Sequence, residues 1–271
     1  MIHLFDKYPC GTTPERKKRR QLLKRSTKLP NWSLDQVAEY VKANPWSREE
    51  WFPIDQFQKN QGRRGSCNYY AKDAVVERLI KQNFLYYIKL SPELGYANNV
   101  NGNDTGSLLT ESLRDGMKVG SPPYLQRHFE KIRRRDFTQA DFENALRFRG
   151  LEFEPVDTYL ELLIGVAIGF PGVVAIHAGA NYIKQKRDGW AGVDNGRGNH
   201  AVAVDKVRIG SDGRIGLEQP GSWGVNVHDD GIAHIHEGHF SQTNRYHKFW
   251  IGTGIRLDPK IELDFKTKIA A

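Results

Sequence analysis

The strongest constraint on this chain is a short turn, Gln61-Gly-Arg-Arg-Gly-Ser, that ends on Cys67 at the start of a helix-patterned run. A thiol is a useful nucleophile only as its thiolate, and the start of a helix favours negative charge through unpaired N–H groups and the helix dipole. Gly65 and Ser66 let the chain turn tightly just before that point. Tyr70, Ala71, Ala74, Val75, Leu79 and Ile80 fall on one helical face, which predicts a helix from Cys67 to near Lys81. A nearby imidazole would complete the activation. His200 is the candidate: it lies 133 residues further on and opens the alternating run Asn199-His200-Ala201-Val202.

Around these two residues the pattern changes from helical to extended. Ser33 and Gln36 form a capping-box pattern ahead of a helix whose apolar face carries Val37, Tyr40 and Val41. Further helices are expected over Ser107 to Asp115, stopped by Gly116, over Asp141 to Arg149, and from about Asp157 to Gly169. Then come strand-like runs at Val173–Ile176, His200–Val207, Ile215–Glu218 and Ile232–Ile235. Helices first and strands later indicate an α+β protein with two lobes.

A cysteine in such a run with a histidine about 130–150 residues downstream is a papain-type signature. Over about residues 54 to 252 the chain resembles the papain-like cysteine peptidases. The matching segments run in the family's order. Gln61 matches the glutamine whose amide lines the oxyanion hole, and Cys67 the nucleophile. Leu90-Ser-Pro-Glu-Leu94 resembles the Leu-Ser-x-x-x-Leu segment, and Gly106-Ser107-Leu108 the glycine-rich edge of the substrate groove. Val174-Ala-Ile-His-Ala178 resembles the Val-Ala-Ile-Asp-Ala strand. Asn199-His200-Ala-Val matches the histidine strand, and Gly221-Ser-Trp-Gly224 the Asn-Ser-Trp-Gly motif. The resemblance implies a papain-like two-lobed fold, a helical lobe followed by an antiparallel β lobe. It also implies catalysis by Cys67, His200 and Gln61, a groove lined by Gly106, Ser107, His177 and Trp223, and no cofactor or metal. The expected organisation is a basic N-terminal arm with a short helix over 1–53, then a papain-like domain over 54–271. The helical lobe would span about 54–155 and the β lobe about 156–260.

The chain also departs from the family. The asparagine that orients the histidine is Gly221, which offers no acceptor to the imidazole. Gln219 and Asn226 are the nearby polar side chains that could reach in, with their direction left open. The aromatic residue after the nucleophile is Asn68, and the half-cystine before it is Arg64, so that disulfide is absent. His177 stands where aspartate is common, either as an ordinary groove-lining residue or as a second imidazole that tunes the thiolate. About 60 residues precede Gln61, read as a shortened inhibitory arm, a docking arm or ordinary packing.

Composition narrows the setting. With 39% hydrophobic and 27% charged residues the chain is a globular protein rather than a disordered one. The apolar run Leu160–Ile176 is too interrupted by Glu161, glycine and proline to span a bilayer, so no membrane partner is expected. No secretory signal opens the chain, and its only cysteines are Cys10, read as structural, and Cys67. These suit an intracellular or particle-associated protein; a Cys10–Cys67 bridge would silence the thiol. The net charge of +8 is concentrated in Arg16–Arg25 and Lys131–Arg135, which are solvated faces or contacts for an acidic or nucleic-acid partner. His228, His234, His236, His239 and His247 cluster with Asp229 and Asp230 but match no strong zinc spacing. Two readings follow: a thiol peptidase acting on proteins or peptides, or a non-catalytic papain-like module with a binding or assembly role, for instance in a virion.

Overall fold

The computed structural model describes residues 12–13, 27–45, 59–184, 189–195, 199–240 and 249–270. Cys10, the Arg16–Arg25 run and His247 lie outside them. In chain order the elements are β1 (Thr12–Thr13), α1 (Leu34–Ala43), α2 (Cys67–Phe84), α3 (Glu93–Val100), β2 (Ser107–Leu108), α4 (Leu109–Lys118), α5 (Gln139–Leu146) and β3 (Leu151–Val156). They continue with α6 (Tyr159–Ala167), β4 (Gly172–Ile176), β5 (His200–Val204), β6 (Lys206–Ile209), β7 (Ile215–Pro220), β8 (Ile232–His236), β9 (Phe249–Ile255) and α7 (Pro259–Ala270).

The strands form a four-stranded antiparallel sheet in the order β3-β9-β4-β5 and a three-stranded antiparallel sheet in the order β6-β7-β8. A two-stranded parallel pair joins β1 to β2. The four-stranded sheet is buried on both faces. Val173, Ala201, Ala203 and Trp250 pack with Ala71, Val75 and Leu79 of α2. Val174, Ile176, Val202, Val204 and Ile251 pack with Leu162, Leu163 and Val166 of α6. Strand β5 therefore turns small alanines toward the helix and valines toward the other core, as its period of two requires.

Capping follows the sequence closely. Ser33 with Gln36, Thr138 with Asp141 and Thr158 with Glu161 are all complete capping boxes. Several expectations change, and the helix expected over Asp141 to Arg149 runs from Gln139 to Leu146. The helix expected from Ser107 starts at Leu109, because Ser107 and Leu108 pair with Thr12 and Thr13. It also runs through Gly116, which packs tightly on Leu151 and Lys72, and ends at Lys118. The run His200–Val207 is not one strand: it breaks at Asp205, whose N–H donates to the Glu218 carbonyl, and passes from one sheet to the other. Strands β3 and β9 carry weak signals, since Glu152, Glu154 and Pro155 interrupt one and Gly252 and Gly254 the other. Helix α2 extends to Phe84 and closes on Leu85 in the left-handed conformation.

Leu162 is fully buried between α6 and the sheet. Leu162→Ala is expected to lower unfolding free energy by about 2–5 kcal/mol in urea titration. A loss under about 0.5 kcal/mol would contradict this packing.

Candidate active site

The turn before α2 is built around Gln61. Its backbone N–H donates to the Ser222 carbonyl at 2.7 Å, and the Ser222 hydroxyl donates to its Oε1 at 2.6 Å. Its Nε2 donates to the Arg64 carbonyl at 2.7 Å. The Gln61 amide is thus clamped between the nucleophile turn and the Gly221–Gly224 motif. Arg64 ties the turn down, donating from Nε to the Glu130 carbonyl at 3.1 Å and lying 3.7 Å from Asp104. Gly65 N–H donates to Asp104 at 2.9 Å.

Cys67 is a fully buried thiol, in no disulfide among the described residues, at the first residue of α2, a helix start with no acidic residue in its first turn. Ala201, the residue after His200, donates its N–H to Sγ at 3.4 Å. The alanine face of β5 allows this approach. His200 opens β5 and pairs with Ile176, so His177, half-buried, stands at the adjoining strand end. Asn199 locks that end: Ala178 N–H donates to its Oδ1 at 2.8 Å and its Nδ2 donates to the Ala178 carbonyl at 3.2 Å.

The imidazole of His200 stacks on Trp223, with centroids 4.2 Å apart and planes 23° apart, and Tyr182 lies 6.4 Å away. Its buried Nδ1 has no hydrogen-bond partner among the described residues. Burial, aided by the neighbouring His228, pushes its pKa down to about 3, so the ring is neutral near pH 7.

Thr12 occupies the thiol instead. Its hydroxyl donates to Asn68 Oδ1 at 2.8 Å and lies 3.4 Å from Cys67 Sγ. A threonine hydroxyl carries one proton. With that proton given to Asn68, the Cys67–Thr12 contact uses the thiol proton. Thr12 N–H donates to the Asn199 carbonyl at 3.0 Å, and β1 lies against Ser107-Leu108. This short segment therefore contacts both Ser107–Leu108 and the residue that precedes β5. Gly106, at φ +75°, turns the chain into that edge, and its N–H donates to the Tyr96 hydroxyl at 3.2 Å.

Neither stand-in for the missing asparagine reaches His200. The Gln219 carbonyl oxygen accepts from the Tyr182 hydroxyl, and Asn226 lines a cavity of about 560 Å³ with Trp223, Tyr70 and Tyr124. Gly221 is itself enforced: its N–H donates to the Gly231 carbonyl at 2.7 Å, and a Cβ there would sit 2.8 Å from that oxygen. The late histidines are engaged elsewhere. His234 lies 2.9 Å from Arg208 and His236 3.1 Å from Arg214, and among the described residues no group could hold a metal ion. The Lys131–Arg135 run is largely exposed. No helix among the described residues is long and apolar enough to cross a membrane. Thr12, Tyr182, Ser222 and His228 were not legible as site residues; each arrives by tertiary contact.

Comparison with known proteins fixes the fold. Neither a family model nor a curated protein sequence matches the chain. Among solved structures it is similar to xylellain, a cysteine protease from Xylella fastidiosa, with TM-score 0.63 and 18% identity over 93% of this chain and 98% of that one. It is also similar to proCathepsin B S9 from Trypanosoma congolense, with TM-score 0.56 and 13% identity over 90% of this chain and 82% of that one. The bromelain protease from Ananas comosus gives TM-score 0.53 and 18% identity over 73% of this chain and 93% of that one. The chain has the papain-like cysteine-protease fold.

Two outcomes follow. His200 at about 3 and His239 at about 4 lie well below an unperturbed histidine at about 6.5, chiefly through burial. Below that value the unfolded chain binds more protons, so their contribution is complete above about pH 6.5 and is lost as pH falls toward 4. Each is expected to cost about 1.4 kcal/mol per pH unit in that window, measured by urea titration from pH 8 to 4; stability independent of pH there would contradict their neutral burial. Gly221→Asn is expected to destabilise by about 1–3 kcal/mol without faster Cys67 alkylation. A stable variant with a more reactive thiol would show that the loop accepts the family's residue.

Proposed function

We propose that the protein is a thiol peptidase hydrolysing peptide bonds through Cys67 and His200, held quiet while Thr12 lies on the thiol. The observation that carries this reading is the Cys67 Sγ to Ala201 N–H contact at 3.4 Å, which brings the helix start against the histidine strand. Once Thr12 leaves, His200 takes the Cys67 proton and gives a thiolate–imidazolium pair. The thiolate attacks the peptide carbonyl carbon. The Cys67 N–H and the Gln61 amide bind the oxyanion, a contribution usually of about 3–4 kcal/mol. His200 then protonates the leaving amine, and water releases the acyl group.

With glycine at 221, the ring is held by stacking on Trp223 rather than by a hydrogen-bonded third group. A thiolate–imidazolium pair retains its own attraction without one. The substrate is a protein or peptide, and no cofactor takes part in these steps. Acidic or nucleic-acid partners for the basic runs and an intracellular or particle-associated setting belong to the same proposal.

The second reading, a non-catalytic module, is favoured by one observation: the buried His200 Nδ1 has no hydrogen-bond partner among the described residues. Cleavage of casein or a mixed peptide library by wild type and Cys67→Ala separates the two. The expected outcome is thiol-dependent cleavage that Cys67→Ala abolishes with an unchanged unfolding midpoint. Equal cleavage by both proteins, or none by either once labelling shows the thiol accessible, would favour the module.

A further inference from the structure

Beside Cys67, the position that carries an aromatic ring in papain-like peptidases is Asn68, fully buried on the first turn of α2. Its amide cannot turn freely. Nδ2 donates to the Ser107 carbonyl at 2.7 Å and to the Ser107 hydroxyl at 2.9 Å. A flipped amide would set its oxygen against a carbonyl that has no proton to give. The Asn68 oxygen is therefore fixed toward the groove as an acceptor, and there it takes the hydroxyl proton of Thr12. The segment that supplies this hydroxyl is extended and is bonded by its backbone to Asn199, so it sits as a peptide docked along a groove edge.

We propose that Asn68 and Ser107 form a subsite for a side-chain hydroxyl, so that the groove takes peptides carrying threonine or serine beside the reactive thiol, with Thr12 its occupant in this structure. The substrate part of this rests on the peptidase reading; hydroxyl recognition itself does not. A valine of the same shape leaves the Asn68 oxygen buried without a donor, and sites built around a substrate hydroxyl discriminate strongly against analogues that lack it. Asn68 is a specificity residue here, since it touches the bound side chain and performs no proton transfer.

The test has two parts on the full-length chain, with Cys67 modification read by peptide mass mapping. First, iodoacetamide labelling is compared for wild type, Thr12→Ser and Thr12→Val, each alone and with Asn68→Ala, after checking that unfolding midpoints agree. Thr12→Ser is expected to match wild type and Thr12→Val to label roughly tenfold faster, with the difference vanishing in the Asn68→Ala background. Second, Thr12→Val is treated with two peptidyl chloromethyl ketones that differ only in threonine or valine next to the warhead. The threonine probe is expected to react roughly tenfold faster. Equal labelling of Thr12→Ser and Thr12→Val overturns the subsite, as does equal reaction of the two probes when both outpace simple thiol alkylation. If the hydroxyl effect at Thr12 holds while neither probe reacts faster than simple thiol alkylation, the subsite stands as a binding site and the peptidase reading falls.

Discussion

Everything at the site depends on how closely helix α2 can lie on strand β5. Ala201 and Ala203 are the residues that face the helix, and Gly252 on β9 meets Val75 and Leu79 from the same side. With larger side chains there the helix would stand off, and Cys67 Sγ could not come within 3.4 Å of the Ala201 N–H. The valines of the same strand point the other way, into the core shared with α6. One alternation thus does two jobs. It buries the sheet on both faces, and it delivers the thiol to the strand that begins with His200.

The site seen here is a closed one. Thr12 gives its proton to Asn68, its oxygen meets the thiol, and its backbone bonds to the residue before the histidine. His200 is buried and stacked on Trp223, and burial lowers its pKa to about 3. Burial in this packing disfavours the charged form of the imidazole. Gly221 fits this picture. The loop carrying Gly231 comes too close for a side chain, so the ring is placed by stacking and burial alone.

Much of this was legible because it lies in local sequence. The helix start at Cys67, the alternation from His200 to Val204 and the capping box at Ser33 all read correctly. The family resemblance supplied the order of Gln61, Cys67, His200 and Trp223, and the structure brings the surroundings of these residues together. What did not read was tertiary. Two residues of the arm become a strand only by pairing with Ser107 and Leu108, which also delays the start of α4. The break at Asp205 depends on a second sheet, and strands β3 and β9 form despite proline, glutamate and glycine because both are buried in pairing. The direction of Gln219 was open in sequence and is settled by Tyr182.

The central claim is that a live Cys67–His200 pair lies beneath Thr12. The most direct measurement is the pH profile of Cys67 alkylation in the full-length protein at low iodoacetamide concentration, with His200→Ala alongside. The absolute rate reports how often Thr12 leaves; the shape of the profile reports the chemistry beneath. The expected result is labelling that persists well below the ordinary thiol range near about 8.5 and loses that acid limb in His200→Ala. A single alkaline rise, identical in both proteins, would mean that the histidine never activates the thiol and that the fold here carries no such chemistry.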